Sequence, residues 1–173
     1  MIYAPLVDDT VISFEDEPPS LAEMTRRVTS VLTHYPWLVC EDEAGAFLGY
    51  AYASGHRSRA AYRWSVEASV YVAKEARGQG VGRRLYDVLH AVLLEQGFGQ
   101  AYAGITLPNA ASQVLHERLG YEQIALYRSV GFKHGTWHDV LWLGRPLAGD
   151  DPQPTEPIPF PQLDPQRLRS LLA

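Results

Sequence analysis

The segment Arg77-Gly-Gln-Gly-Val-Gly82 joins a run of alternating valines to the strongest amphipathic pattern in the chain. Upstream, Val66, Ala68, Val70 and Val72 alternate with Glu67, Ser69 and Tyr71, which predicts a strand with one aliphatic face and Glu67 on the other. Downstream, Val81, Leu85, Val88, Leu89, Val92 and Leu93 predict a helix that ends at Gly97. A glycine-rich passage from strand into helix lets backbone N–H groups converge on an anion, and the helix dipole favours negative charge there. A pyrophosphate suits this position. Arg83 and Arg84 fall in the first helical turn, where the dipole disfavours cations, so an anionic ligand accounts for them. The plain alternative is a glycine-rich turn with solvated arginines. Two other nucleotide loops fail on spacing, because Gly82 is followed by Arg83 and Arg84. A P-loop needs Lys-Ser or Lys-Thr there, and the dinucleotide fingerprint needs a glycine at 83.

Around this centre the remaining elements follow from periodicity. Leu21, Met24, Val28, Val31 and Leu32 predict a helix between Ser20 and His34, stopped by Pro36. Trp37 to Glu41 and Phe47 to Ser54 read as a hairpin. Ala101 to Leu107 reads as a strand closed by Pro108, after which Asn109 caps a helix that ends at Gly120. Tyr121 to Arg128 and Trp137 to Leu143 are predicted strands flanking a loop within VGFKHGTWHD. The order of elements predicts a mixed α/β sheet with helices on both faces. Proline is concentrated between Pro152 and Pro165, so a domain over 1–145 is expected to carry a Pro-rich tail over 146–173, with a short helix opened by Asp164 and Pro165.

A chain of 173 residues, 46% hydrophobic, suits one domain with an ordinary core. Its formal net charge of -5 argues against an extended nucleic-acid surface or an acidic membrane as partner. The lone Cys40 excludes an internal disulfide, and no apolar run reaches the roughly 18 residues of a spanning helix. These features point to a cytoplasmic protein.

Glu67 sits in mid-strand close to the glycine loop, and its carboxylate either meets a partner such as Arg59 or Arg63 or is held for proton transfer. His116 lies in the second helix of the glycine-loop half. Lys133, His134, His138 and Asp139 suggest a metal site, but the stretch lacks helical periodicity and has no HExxH counterpart, so no metal is expected.

Arg77-x-x-Gly80-x-Gly82 followed by Asn109 resembles the acetyl-CoA signature of GNAT acetyltransferases. The segments Arg59–Glu67, Val70–Val72, Leu115–Tyr121 and Gly131–Val140 are similar to the phosphinothricin acetyltransferase branch of that family. The resemblance implies a mostly antiparallel central sheet splayed between two strands. It also implies direct acetyl transfer from acetyl-CoA to the primary amine of a small amino-acid-like acceptor, and a homodimer. By that resemblance Glu67 is the general base, and His116 stands where many relatives place a tyrosine acid. Val70, Tyr71 and Val72 would meet the pantetheine, with a backbone N–H near Val70 for the oxyanion. Arg77, Gly78, Gln79, Gly80, Val81, Gly82 and Arg83 would hold the pyrophosphate, and Asn109 the CoA arm. Phe14, Arg59, Tyr62 and Lys133 would contact the acceptor. Family members begin with a strand and helix ahead of the position matching Met1, so the first strand and part of the first helix are expected to be missing. The rival readings are acetylation of a peptide N-terminus and a non-catalytic acyl-CoA sensor.

Overall fold

The computed structural model describes residues 2–149 and 153–172. Helix α1 (Ala4–Asp9) leads into a loop, then α2 (Leu21–Leu32), whose N-cap Ser20 accepts a hydrogen bond from the Glu23 N–H. The hairpin of β1 (Trp37–Glu41) and β2 (Phe47–Gly55) follows, then β3 (Ser65–Val72), α3 (Val81–Gln96) and β4 (Gln100–Thr106). Helix α4 (Ala110–Arg118), β5 (Glu122–Lys133), β6 (Thr136–Pro146) and α5 (Pro165–Leu172) complete the chain. This is the mixed α/β fold read from the sequence, with a six-stranded sheet in the order β1-β2-β3-β4-β6-β5. None of the helices among the described residues is long and apolar enough to cross a membrane.

Every neighbouring pair in the sheet is antiparallel except β3 and β4, and that exception positions the site. The parallel pairing runs only from Ser65↔Gln100 to Glu67↔Tyr102, whereas β3 stays paired with β2 as far as Val72. Beyond Glu67 the two strands therefore diverge and leave a notch in the sheet. Ala68 O accepts from the Tyr86 hydroxyl (3.2 Å) and Val72 O from Arg77 Nε (3.3 Å). Backbone groups alternate sides along a strand, so Val70 N–H and C=O face the notch as well.

Helix α3 closes one face of the sheet. Val81, Leu85, Tyr86, Leu89, Val92 and Leu93 are buried against Ala51, Ala53, Val66, Ala68, Ala101 and Ala103, small residues that let the helix approach closely. Gly97, at φ 91°, ends the helix, and the Phe98 N–H returns to Leu93 O at 3.0 Å.

One region differs from the sequence expectation. The stretch expected as a loop is strand almost throughout, because β5 and β6 pair up to Lys133↔Thr136 around a two-residue turn, His134-Gly135, with φ 49° and 74°. Both turn residues have the left-handed backbone of a tight hairpin. A bulge sets residues 128–130 opposite Asp139, whose Oδ1 accepts from the Ser129 N–H at 2.8 Å. The start of the Pro-rich run, Asp151-Pro152, lies outside the described residues, but the later part is docked on the body. Trp64 Nε1 donates to Thr155 O (2.7 Å), Ile158 N to Gln96 O (2.7 Å) and Phe160 N to His34 O (3.0 Å). Leu163 is buried, and the α5 N-terminus is capped by Asp164, which accepts from the Gln166 N–H.

Candidate active site

Three cavities follow one another through the notch. The outer one, about 510 Å³, runs from the glycine loop along Val70–Val72 to the start of α4. A throat of about 70 Å³ lies between the diverging strands and shares Val70, Tyr71, Asn109 and Ser112 with the outer cavity. The inner cavity, about 510 Å³, shares Ala68, Ser69, Gly104 and Thr106 with the throat. Ile12 borders all three.

The outer cavity is built by helix geometry. Gly78 and Gly80 hold φ of 74° and 82°, a conformation that side-chain-bearing residues rarely adopt, and Gly80 is the N-cap of α3. The first intrahelical bond there is from Arg84 N to Gly80 O, so the preceding N–H groups of Val81, Gly82 and Arg83 have no partner within the helix. They face a cavity that is also lined by Arg77 and Arg83. A Cβ on Gly82 would lie 3.3 Å from Leu115 and 3.5 Å from Val72, so glycine keeps the cavity floor open between β3 and α4. Gln79 turns back to Glu75 O (2.7 Å) and is not among the lining residues. Asn109 caps α4 through Oδ1, which accepts from Ser112 N, and borders both outer cavity and throat. An anion at the loop would gain several N–H donors, the helix dipole and two guanidinium groups.

In the throat, His116 and Tyr86 are almost fully buried. His116 Nδ1 lies 2.7 Å from Ser112 O, which can only accept, so this nitrogen carries the proton. Nε2 lies 3.1 Å from the Tyr86 hydroxyl. Burial lowers the His116 pKa, opposed by the Ser112 carbonyl, so the imidazole is neutral and Nε2 is an acceptor at neutral pH. Burial also raises the Tyr86 phenol far above its ordinary range. His116 thus has no proton facing Tyr86 in this state, and the hydroxyl beside it supplies the O–H donor.

The inner cavity has aromatic and aliphatic walls, formed by Ile12, Phe14, Tyr127, Val130, Val140 and Trp142, and two charged residues, Glu67 and Arg57. Glu67 Oε1 lies 3.0 Å from His56 Nδ1 and 3.4 Å from Arg57 Nη1. His56 stacks on Tyr102 at 4.4 Å, and the Arg57 guanidinium lies 5.8 Å from the Trp142 ring centre. The structure brings Phe14 and Glu67 together here. Arg59 and Tyr62 instead sit on the exposed loop between β2 and β3 and line none of the three cavities. Arg63, considered as a Glu67 partner, pairs with Glu156 at 3.1 Å. Lys133 lies outside the cavity as well: it is 7% exposed, and its ammonium donates to Val7 O, Ser13 O and Glu15 O. Those three acceptors use all three N–H donors, leaving none for an acceptor molecule. His56, Arg57, Tyr86, Trp142 and Ile12 escaped the sequence reading. For Arg57 the signal was present, since three arginines fall within Arg57–Arg63, but which of them turns inward depends on loop geometry. No group of three or more His, Cys, Asp or Glu positioned for a metal occurs among the described residues.

Comparison with known proteins gives this geometry a context. Residues 3–142 match the acetyltransferase (GNAT) domain family. The chain is 44% identical over 156 residues to the phosphinothricin N-acetyltransferase of Alcaligenes faecalis, covering 88% of this chain and 79% of that protein. It is 37% identical over 143 residues to the L-methionine sulfoximine/L-methionine sulfone acetyltransferase of Pseudomonas aeruginosa, covering 82% and 83% of the two chains. Among solved structures, a phosphinothricin acetyltransferase of Sinorhizobium meliloti in complex with acetyl-CoA superposes with a TM-score of 0.87 at 42% identity. That match covers 94% of this chain and 89% of the other.

Proposed function

The chain belongs to the GNAT acetyltransferases, and from that premise we propose that it moves the acetyl group of acetyl-CoA to the amine of a small amino-acid-like acceptor of the phosphinothricin or methionine sulfone type. The observation that carries this reading is the inner cavity, where one carboxylate and one guanidinium face a largely apolar space that opens through the throat to an anion site. An ammonium finds Glu67, and an anionic or strongly polar oxygen finds Arg57.

Acetyl-CoA is the donor substrate. Its pyrophosphate is assigned to the N–H groups around Gly78–Arg83 with Arg77 and Arg83 nearby, and its pantetheine arm to the notch-facing backbone of Val70 with Tyr71 and Val72 beside it. Asn109, whose Oδ1 is used in the cap, would contact the arm through Nδ2. Gln79 is left as a loop residue whose side chain ties the turn to Glu75.

The acceptor enters as an ammonium ion, and an alkyl ammonium of pKa about 10.4 leaves only about one molecule in a few thousand free at pH 7. Glu67, directly or through water, accepts one proton. The nitrogen lone pair then attacks the thioester carbon, and the carbonyl pair moves to oxygen, where Val70 N–H stabilises it. One preorganised donor of this kind contributes about 3 kcal/mol. As the intermediate collapses, the C–S bond breaks and the nitrogen loses its second proton to the departing sulfur, giving the amide and CoA thiol. The Tyr86 hydroxyl, whose single proton points to Ala68 O or His116 Nε2 at rest, turns it to the sulfur in this step. His116 is therefore assigned as the partner that orients Tyr86.

Arg59 and Tyr62 are assigned to the rim, on the exposed loop over the inner cavity. The distal part of the β5–β6 hairpin exposes Val130, Phe132 and Trp137 at 51%, 58% and 60%, an apolar face for a second copy of the chain in a homodimer. A cytoplasmic location, where acetyl-CoA is supplied, suits both substrates. The direct test is CoA thiol release from acetyl-CoA in the presence of phosphinothricin, methionine sulfone and methionine sulfoximine, with sizing chromatography for the dimer. Turnover on these amines supports the assignment; binding of acetyl-CoA without thiol release would overturn it.

A further inference from the structure

One wall of the inner cavity belongs to no helix or strand. Ile12 and Phe14 lie on the loop between α1 and α2, and this loop is held from beneath by the hairpin of β5 and β6. Lys133, the last residue of β5, donates to Val7 O at 2.6 Å, Ser13 O at 2.8 Å and Glu15 O at 2.8 Å, so it ties α1 to the two loop residues that flank Phe14. Tyr3 and Arg27 fix the same loop through Glu15, at 2.8 Å and 2.7 Å. Gly131, two residues before Lys133 and hence on the same side of the strand, supports the Phe14 ring. A Cβ at 131 would lie 2.3 Å from Phe14 Cε2 and Cζ, whereas ordinary contact begins at 3.4 Å. Gly131 has no positive φ, so its lack of a side chain answers the ring above it and not the backbone. Neither Gly131 nor Lys133 lines the inner cavity.

We propose that Gly131 and Lys133 determine which acceptor lengths the enzyme accepts, by fixing how far Phe14 projects into the inner cavity. This rests on the assignment of that cavity to the acceptor. Lys133 holds the loop at a set height, and Gly131 lets the ring withdraw to the hairpin surface. A methyl group at 131 drives the ring off the hairpin by about 1 Å, since contact at 2.3 Å must relax to about 3.4 Å. The space lost is at the end of the acceptor site remote from the glycine loop, and it falls on the longest side chains.

The experiment compares methionine sulfone with its ethyl homologue, ethionine sulfone, in the unmodified enzyme, Gly131→Ala, Phe14→Ala and the double variant, with Lys133→Met as a second probe of the loop. Gly131→Ala is expected to raise the preference for the methyl compound about tenfold through acceptor KM, the scale of one methylene in a filled pocket. Acetyl-CoA KM and melting temperature stay the same. Phe14→Ala lowers that preference, and the double variant behaves as Phe14→Ala, because without the ring the added methyl meets nothing. Lys133→Met, which frees Ile12 as well as Phe14, blurs the preference. An unchanged methyl-to-ethyl ratio in Gly131→Ala, or an equal rise in acetyl-CoA KM, overturns the inference and leaves the proposed function standing. Failure of the unmodified enzyme to turn over either sulfone overturns the acceptor assignment and this inference with it.

Discussion

Replacing Glu67 with glutamine removes a carboxylate and keeps its shape. The loss expected in kcat is about a hundredfold to ten-thousandfold, the range for a well-placed general base, or about 3 to 5 kcal/mol of barrier. The fold should barely notice. Glu67 is 32% exposed on its side chain and pairs with His56 at 3.0 Å and with a more exposed Arg57 at 3.4 Å. An ion pair so open to water contributes about 0 to 1 kcal/mol. In a domain of this size that corresponds to a fall of at most about 4 °C in melting temperature. Acetyl-CoA is assigned to the far side of the throat, so its KM should move little. The assay is saturated-substrate turnover from pH 6 to 9, followed by thiol release, beside a thermal melt. Without the carboxylate the rate depends on free amine already in solution, so it should rise about tenfold per pH unit below the amine pKa. A kcat within threefold of the unmodified enzyme and a parallel pH profile would refute the reasoning.

Three other perturbations bear on the remaining parts. Gly82→Val places two methyl groups where a single Cβ already lies 3.3 Å from Leu115, so acetyl-CoA KM should rise at least tenfold with acceptor KM little changed, as read by initial rates. His90 is buried against Tyr121 and Arg145, and burial, then the Arg145 charge, pushes its pKa down to about 3. Its unfolded value is near 6.5, so its contribution is intact above that pH and is lost as pH falls through 6.5 towards 3, because only the unfolded chain takes up the proton. His90→Gln should reduce the fall in unfolding free energy between pH 6 and 5 by about 1.2 kcal/mol, measured by urea denaturation. Truncation after Leu147 exposes the Leu163 site and removes the partners of Trp64 and Gln96; a loss of about 2 to 4 kcal/mol, seen as a lower denaturant midpoint, is expected.

The parts of the site written within short stretches of chain were legible in the sequence. The glycine loop, the helix it opens, the Asn109 cap and the strand position of Glu67 all depend on spacing of a few residues, and there the physics is local. What escaped depends on contacts between distant positions. Lys133 reaches carbonyls 118 to 126 residues away, so its basic character gave no hint that it grips a loop near the start of the chain. His116 meets Tyr86 thirty residues earlier, and only that contact and the Ser112 carbonyl place its proton on Nδ1. Only the distal end of the β5–β6 hairpin reads as a loop in the sequence, because its turn is His134-Gly135 and its strand residues alternate poorly around a bulge. Proline composition marks the C-terminal segment as extended, and the hydrogen bonds that lay it along the body are made with Trp64, Gln96 and His34, far away in sequence.

The measurement that tests the central claim most directly is CoA thiol release when the purified protein receives acetyl-CoA together with phosphinothricin, methionine sulfone, free amino acids or short peptides. The account predicts rapid turnover on the amino-acid analogues, weak turnover on peptides, and loss of both in Glu67→Gln. Silence on every amine by a folded protein that binds acetyl-CoA would contradict it.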